Sequence, residues 1–183
     1  MSEEDPSGGP PAGKVWIVGG PGCGKSTLAG LLTRSEAPPV CLDALFWGPG
    51  WTPVPEEEFL AEVGKALEGE RWVVDGQFPA AVAAYAHTAD CVVWVDPPLR
   101  LAWPRLLRRT LRRWIRREKL WGGTRETLWT VVGPRSILWY ALKVRAEQQR
   151  ANQELFARLA KSGVRLIRFR DGDVRDLVGR IPR

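Results

Sequence analysis

Gly19-Gly20-Pro21-Gly22-Cys23-Gly24-Lys25-Ser26-Thr27 is the stretch on which the reading of this chain turns. It has glycine, four residues, glycine, lysine and serine in order. Before it stands an apolar run, Lys14-Val15-Trp16-Ile17-Val18, and after it Lys25 to Arg34 carries Leu28, Leu31 and Leu32 at helical spacing. Strand, loop and helix follow one another. Gly20, Gly22 and Gly24 let backbone N–H groups turn inward around phosphate oxygens, and a helix starting near Lys25 adds the positive end of its dipole. Lys25 is then expected at the β- and γ-phosphates of ATP, the Ser26 hydroxyl as a magnesium ligand, and Thr27 beside the α-phosphate. Cys23 fills a variable loop position, where backbone geometry matters more than the thiol. A glycine-rich turn that binds nothing is the competing reading, and the complete motif in its required context outweighs it. The whole loop, Pro21 included, is therefore expected to line an ATP site.

Working outward, short apolar runs recur at Val40-Cys41-Leu42, Trp72-Val73-Val74, Cys91-Val92-Val93-Trp94-Val95 and Val164-Arg165-Leu166-Ile167, with helix-length segments between them. Near-continuous apolar strands alternating with helices predict an α/β fold of three layers, a parallel sheet covered on both faces. Three of the runs end in an aspartate: Asp43, Asp75 and Asp96. Ligands of such sheets bind at the carboxyl ends of the strands, so the glycine loop and these carboxylates should meet at one edge.

The 183 residues, 44% of them hydrophobic, suffice for one buried core, and a single domain is expected over residues 14–183. Met1 to Gly13 is a Ser/Pro/Gly/Glu segment with too little apolar surface to offset the entropy of ordering, and reads as a disordered tail. No apolar run approaches the roughly 20 residues that span a bilayer, and the start lacks signal-peptide features, so a soluble, cytoplasmic protein is expected. Cys23, Cys41 and Cys91 lack the close pairing of a zinc site and read as reduced thiols. The single histidine, His87, reads as a surface or satisfied helix residue rather than a base. Tryptophan is abundant, and most of these rings should fill the core.

The net charge of +6 is uneven, because Arg100 to Arg117 holds eight arginines and no acid before Glu118. At 100° per residue, Arg109, Arg112 and Arg116 fall within about 40° of Arg105 on one stripe. Trp103, Leu107, Thr110 and Trp114 lie opposite, as the face expected to pack on the core. An arginine stripe without interspersed acids suits a lid that clamps phosphates over residues 103–126, with Gly122-Gly123 as its hinge and Arg125 and Glu126 in the lid or in surface pairs. Nucleic-acid binding and a merely solvated face are the alternatives.

Gly19 to Thr27 resembles the adenylate kinase phosphate loop, and Val73-Val74-Asp75-Gly76 followed by Phe78-Pro79 partly resembles that family's strand-end signature. Leu42-Asp43, Trp47 to Trp51, Trp72 to Gly76, Arg105 to Arg113 and Leu120 to Glu126 are similar to bacterial P-loop proteins described as DNA topology modulation or adenylate-kinase-like proteins, over about residues 14 to 170. The resemblance implies a small ATP-binding kinase with a five-stranded sheet ordered 2-3-1-4-5. In that order Asp75 ends the strand beside the phosphate-loop strand and is the expected magnesium residue, with Asp96 in reserve. Adenylate kinases follow this signature with an arginine for the acceptor's phosphate; here Phe78-Pro79 continues into Ala80-Ala81, which argues against AMP as acceptor.

Phosphoryl transfer to a nucleoside, nucleotide or other small hydroxyl compound is the function these features favour. A nucleic-acid-binding ATPase and a nucleotide-binding regulatory protein are the other classes. Asp43 is the expected general base if the acceptor is an alcohol, or else a structural cap of the following turn. Trp47 and Trp51 flank Gly48-Pro49-Gly50 and either stack on the acceptor or pack in the core.

Overall fold

The computed structural model describes residues 13–33, 38–116 and 137–181. The segment before residue 13, the Leu120 to Thr124 stretch with its Gly122-Gly123 hinge, Arg125 and Glu126 lie outside the described residues.

In chain order the elements are β1 (Lys14–Val18), α1 (Lys25–Leu32), β2 (Val40–Cys41), α2 (Leu42–Phe46), α3 (Glu56–Ala66), β3 (Trp72–Asp75), α4 (Pro79–Tyr85), β4 (Cys91–Val95), α5 (Leu99–Ile115), α6 (Ile137–Leu159) and β5 (Arg165–Phe169). The five strands form one parallel sheet in the order β2-β3-β1-β4-β5, as expected. Every residue of β3 and β4 is buried, which is why these runs read as continuously apolar rather than alternating.

Side-chain alternation divides the core in two. On one face Trp16, Val18, Val74, Val92 and Trp94 pack with Leu42, Phe59, Val63, Leu155 and Leu159 from the helices. On the other, Val15, Ile17, Val73, Val93 and Val95 pack with Leu28, Ala29 and Leu32 of α1 and with Val174, Leu177 and Ile181 of the C-terminal turn. Trp16, Trp72 and Trp94 are buried, and the Trp16 indole N–H donates to the Gly76 carbonyl at 3.1 Å. Each large apolar side chain so buried contributes about 1.5–3 kcal/mol.

Two boundaries differ from the sequence reading. β2 pairs through Val40 and Cys41 alone, and Leu42 opens α2, so Asp43 lies in the first turn of a helix instead of closing a strand. The cause is the burial of Leu42 under Gly76, where an added Cβ would stand 2.6 Å from that of Leu42. β5 runs on to Phe169, whose ring joins the α1 face.

α5 crosses directly over the glycine loop. Gly22 has φ 75°, and a Cβ there would come 2.5 Å from the Ala102 carbonyl and 2.8 Å from the Leu106 Cβ. Gly163 shares that φ of +75° but has open space around it. Gly163→Ala should cost about 1–2 kcal/mol for the left-handed backbone, and Gly22→Ala about 1–3 kcal/mol more for displacing α5. Urea unfolding of the two variants measures the difference.

Candidate active site

The sheet's carboxyl edge carries the loop between β1 and α1. Its left-handed glycines are Gly19, Gly22 and Gly24; Gly20, expected among them, serves differently. A side chain at Gly20 would meet Gln148 Oε1 of α6 at 3.1 Å, and one at Gly19 would strike the Val95 carbonyl at 2.3 Å. α1 begins after Gly24 with no side-chain cap and no acid in its first turn. Its first N–H groups and its dipole therefore point at the loop without a competing anion. Ser26 and Thr27 are exposed at this mouth, and Pro21 is half-buried beside it. The Lys25 ammonium folds back to donate to the Gly20 carbonyl at 3.1 Å. Cys23 is buried in the core, its sulfur 4.0 Å from Lys25 Nζ.

The three carboxylates meet at this edge but in unlike surroundings. Asp96 follows β4 and accepts two hydrogen bonds from Arg168, at 2.6 and 3.2 Å, and one from Gln149 at 3.2 Å, with Arg145 and Arg170 within 4 Å. Arg168 also stacks 3.9 Å over the Trp94 ring. The reserve metal candidate is thus committed to arginines. Asp75 ends β3 opposite Ile17 of the strand that leads into the loop, and is buried. Asp43, half-buried in α2, has its carboxyl pushed above the usual carboxylate range by burial and by neighbouring Asp75. Lys25, Arg109 and Arg113 oppose that rise, so one lysine and two arginines stand in its field.

α5 turns a different face to the site than helix arithmetic on the arginines predicts. Ala102, Leu106 and Thr110 are its buried line, and the Ala102 carbonyl and the Leu106 Cβ are the atoms it sets nearest to Gly22. Of the expected packing face, Thr110 is buried and Trp103 and Leu107 are partly buried, whereas Trp114 is more than a third exposed. Arg109 and Arg113, about 60° and 20° from Leu106 around the helix, flank the buried line and are half-buried. Arg105, Arg112 and Arg116 are exposed, and the outer side of the helix carries an apolar groove of Leu107, Leu111 and Ile115. The stripe of four is therefore split: Arg109 stays with the site, and Arg113 joins it unforeseen.

Trp47 caps α2 through its N–H to the Asp43 carbonyl at 3.1 Å, one helical turn from that carboxylate. Its indole meets Trp51 edge-on at 5.7 Å and Phe46 at 4.8 Å, and Phe46 continues to Phe59 and Phe78. Both tryptophans are half-buried, and Trp51 holds φ 62°, a backbone conformation rare for a bulky residue. The three thiols are free; burial raises Cys91 to about 11 and raises Cys41, with Asp75 and Asp43 adding to the latter.

A magnesium ion bound with a nucleotide needs one or two protein oxygens, because water and phosphates fill its other positions. Ser26, exposed in the first turn of α1, and Asp75, at the end of the neighbouring β3, each carry such an oxygen. Among the described residues no cluster of three or more metal-type side chains exists, and this mode of binding requires none.

No family model matches the chain, and no curated protein matches its sequence. Among solved structures it is similar to a gluconokinase from Sinorhizobium meliloti 1021, with a TM-score of 0.53 and 17% identity over 93% of this chain and 90% of that one. The chain has the P-loop kinase fold. No described helix of this P-loop kinase fold is long and apolar enough to cross a membrane.

Two outcomes follow from the carboxylates. Asp96→Asn should lower stability by about 2 kcal/mol, between the values for exposed and buried pairs since Arg168 is partly exposed. Its magnesium dependence should stay that of the wild type. Asp43 has a folded-state pKa above its unfolded value near 3.8, so its ionisation costs the native state more as pH rises through that interval. Asp43→Asn should therefore be more stable than wild type at neutral pH, with the gap closing below about pH 4 in thermal melts.

Proposed function

We propose that this chain is an adenylate-kinase-like phosphotransferase that moves the γ-phosphate of ATP, with magnesium, to a hydroxyl group of a small acceptor. The observation that carries this reading is the grouping around Asp43: a half-buried carboxylate in the field of Lys25 from the loop and of Arg109 and Arg113 from α5. A proton acceptor, a phosphate-holding lysine and charge-stabilising guanidiniums are the groups that transfer to an alcohol requires.

The acceptor hydroxyl gives its proton to Asp43 as its oxygen bonds to the γ-phosphorus, and the bond to the β-bridging oxygen breaks to release ADP. Burial raises the basicity of Asp43, so the carboxylate receives the proton more readily than an exposed one would. Lys25 and the N–H groups of the loop hold the β- and γ-phosphates in line. Arg109 and Arg113 face the phosphoryl group in flight, whose charge is spread over its equatorial oxygens. Ser26 and Asp75 would hold magnesium, which neutralises charge on the β- and γ-oxygens when bound. Trp47 and Trp51, one turn beyond Asp43, form the aromatic wall of the acceptor side. The arrangement suits an alcohol better than AMP, and the name of the similar gluconokinase describes a hydroxyl-bearing acceptor of this class.

A second reading, a nucleic-acid-binding ATPase, is favoured by the exposed Arg105, Arg108, Arg112 and Arg116 on the outer flank of α5. Strongly salt-dependent DNA binding without a phosphorylated acceptor would select it.

An ADP-release screen against nucleosides, nucleoside monophosphates, sugars and sugar acids tests the main reading. With the acceptor in hand, Lys25→Ala should reduce turnover to background. Asp43→Asn should lower kcat by about 10²–10⁴ with little change in ATP affinity, and Arg109→Ala should lower kcat more than it weakens ATP binding. Wild-type turnover in Lys25→Ala would overturn the assignment.

A further inference from the structure

Gln77 and Asn152 take no part in the chemistry above, yet they meet at the back of the glycine loop. The Gln77 side-chain oxygen accepts the backbone N–H of Gly19 at 2.9 Å and the Asn152 side-chain N–H at 3.2 Å. Gln77 stands on a fixed base: Gly76 donates to the Ile17 carbonyl at 3.3 Å and accepts from the Trp16 indole at 3.1 Å. Asn152 comes from α6 and is 2% exposed. A buried polar side chain is costly unless its bonds are made, and this one spends its N–H on orienting the Gln77 amide.

We infer that Gln77 and Asn152 are positioning residues for the nucleotide: Asn152 turns the Gln77 oxygen toward Gly19, and that bond sets the peptide at which β1 enters the phosphate loop. The inference rests on the ATP site proposed above. Gly19 cannot be held by a side chain of its own, and its φ of 145° is open to many alternatives in a free chain. Fixing its N–H from outside removes those alternatives before the nucleotide arrives, which favours binding through preorganisation. Among the described residues Asn152 Oδ1 and Gln148 Oε1 have no hydrogen-bond partner, and both residues line a cavity of about 20 Å³ with Gly20 and Cys23. That volume admits one water, whose two O–H groups match the two acceptors.

The test is calorimetric titration of the full chain with MgATP, beside thermal melts and steady-state kinetics. Gln77→Met keeps length and removes the acceptor; Asn152→Leu removes the N–H that orients it. Each should weaken MgATP binding about tenfold, the usual effect of leaving one such donor unsatisfied. KM for ATP should rise in step, with kcat at saturating ATP within about threefold of wild type. Because Asn152 acts through Gln77, the double variant should bind no more weakly than Gln77→Met alone. Lower melting temperatures with unchanged MgATP affinity, or additive losses in the double variant, would overturn the inference. Gln77 is half-buried, so its variant still decides the matter if Asn152→Leu fails to fold. A wild-type chain that binds no MgATP would instead overturn the phosphotransferase reading together with this one.

Discussion

A loop with glycine at four of its first six positions has few side chains with which to hold its own shape, and the rest of this structure is arranged around that constraint. Four of its residues are fixed by what comes close from outside. The Val95 carbonyl approaches Gly19, Gln148 approaches Gly20, Ala102 and Leu106 press on Gly22, and Val174 lies against Gly24. Each neighbour belongs to a different element, so β4, α6, α5 and the C-terminal turn converge on one short segment of backbone. The sheet order makes this possible, since β1 is central and its carboxyl end is flanked by β3 and β4. An edge strand could not gather supports from both sides.

The same edge assigns three aspartates to three tasks through their surroundings alone. Asp96 is saturated by Arg168 and Gln149 with Arg145 nearby, and thereby ties β5 and α6 to the end of β4. That is a structural ion pair, worth most where water is excluded. Asp75, on the far side of β1, shares its neighbourhood with Asp43, and like charge favours a cation between or beside them. Asp43 has a mixed environment: burial and Asp75 push its carboxyl above the usual carboxylate range, while Lys25, Arg109 and Arg113 draw it back toward ionisation.

The parallel sheet was legible because four of the five strands read as unbroken apolar runs, its order through the resemblance to adenylate-kinase-like proteins, and the loop because its spacing tolerates few other structures. Asp43, Asp75 and Lys25 were legible as residues, although the helical setting of Asp43 was not: a two-residue edge strand leaves no periodicity to read. The arginine face failed for a different reason. Helix arithmetic ranks faces by composition, whereas the packed face of α5 is the one that brings Leu106 and the backbone of Ala102 against Gly22, where the loop has no side chain to keep them off. Arg113 enters the site as a consequence of that fit. Gln77 and Asn152 are separated by 75 positions, and no local pattern signals an amide pair of that span.

The two halves of the site also differ in how firmly the fold holds them. The phosphate loop sits between buried central strands, with helices packed on both faces. Asp43 and Trp47 sit on a helix of five residues that follows a strand paired at only two positions. Local opening is easiest where backbone pairing and buried contacts are few. By that measure the loop side is the more firmly held and the α2 side, with Asp43, the more easily opened. The left-handed Trp51 adds to that contrast, since a bulky residue at φ 62° carries backbone strain that its surroundings, the Trp47 ring among them, must offset.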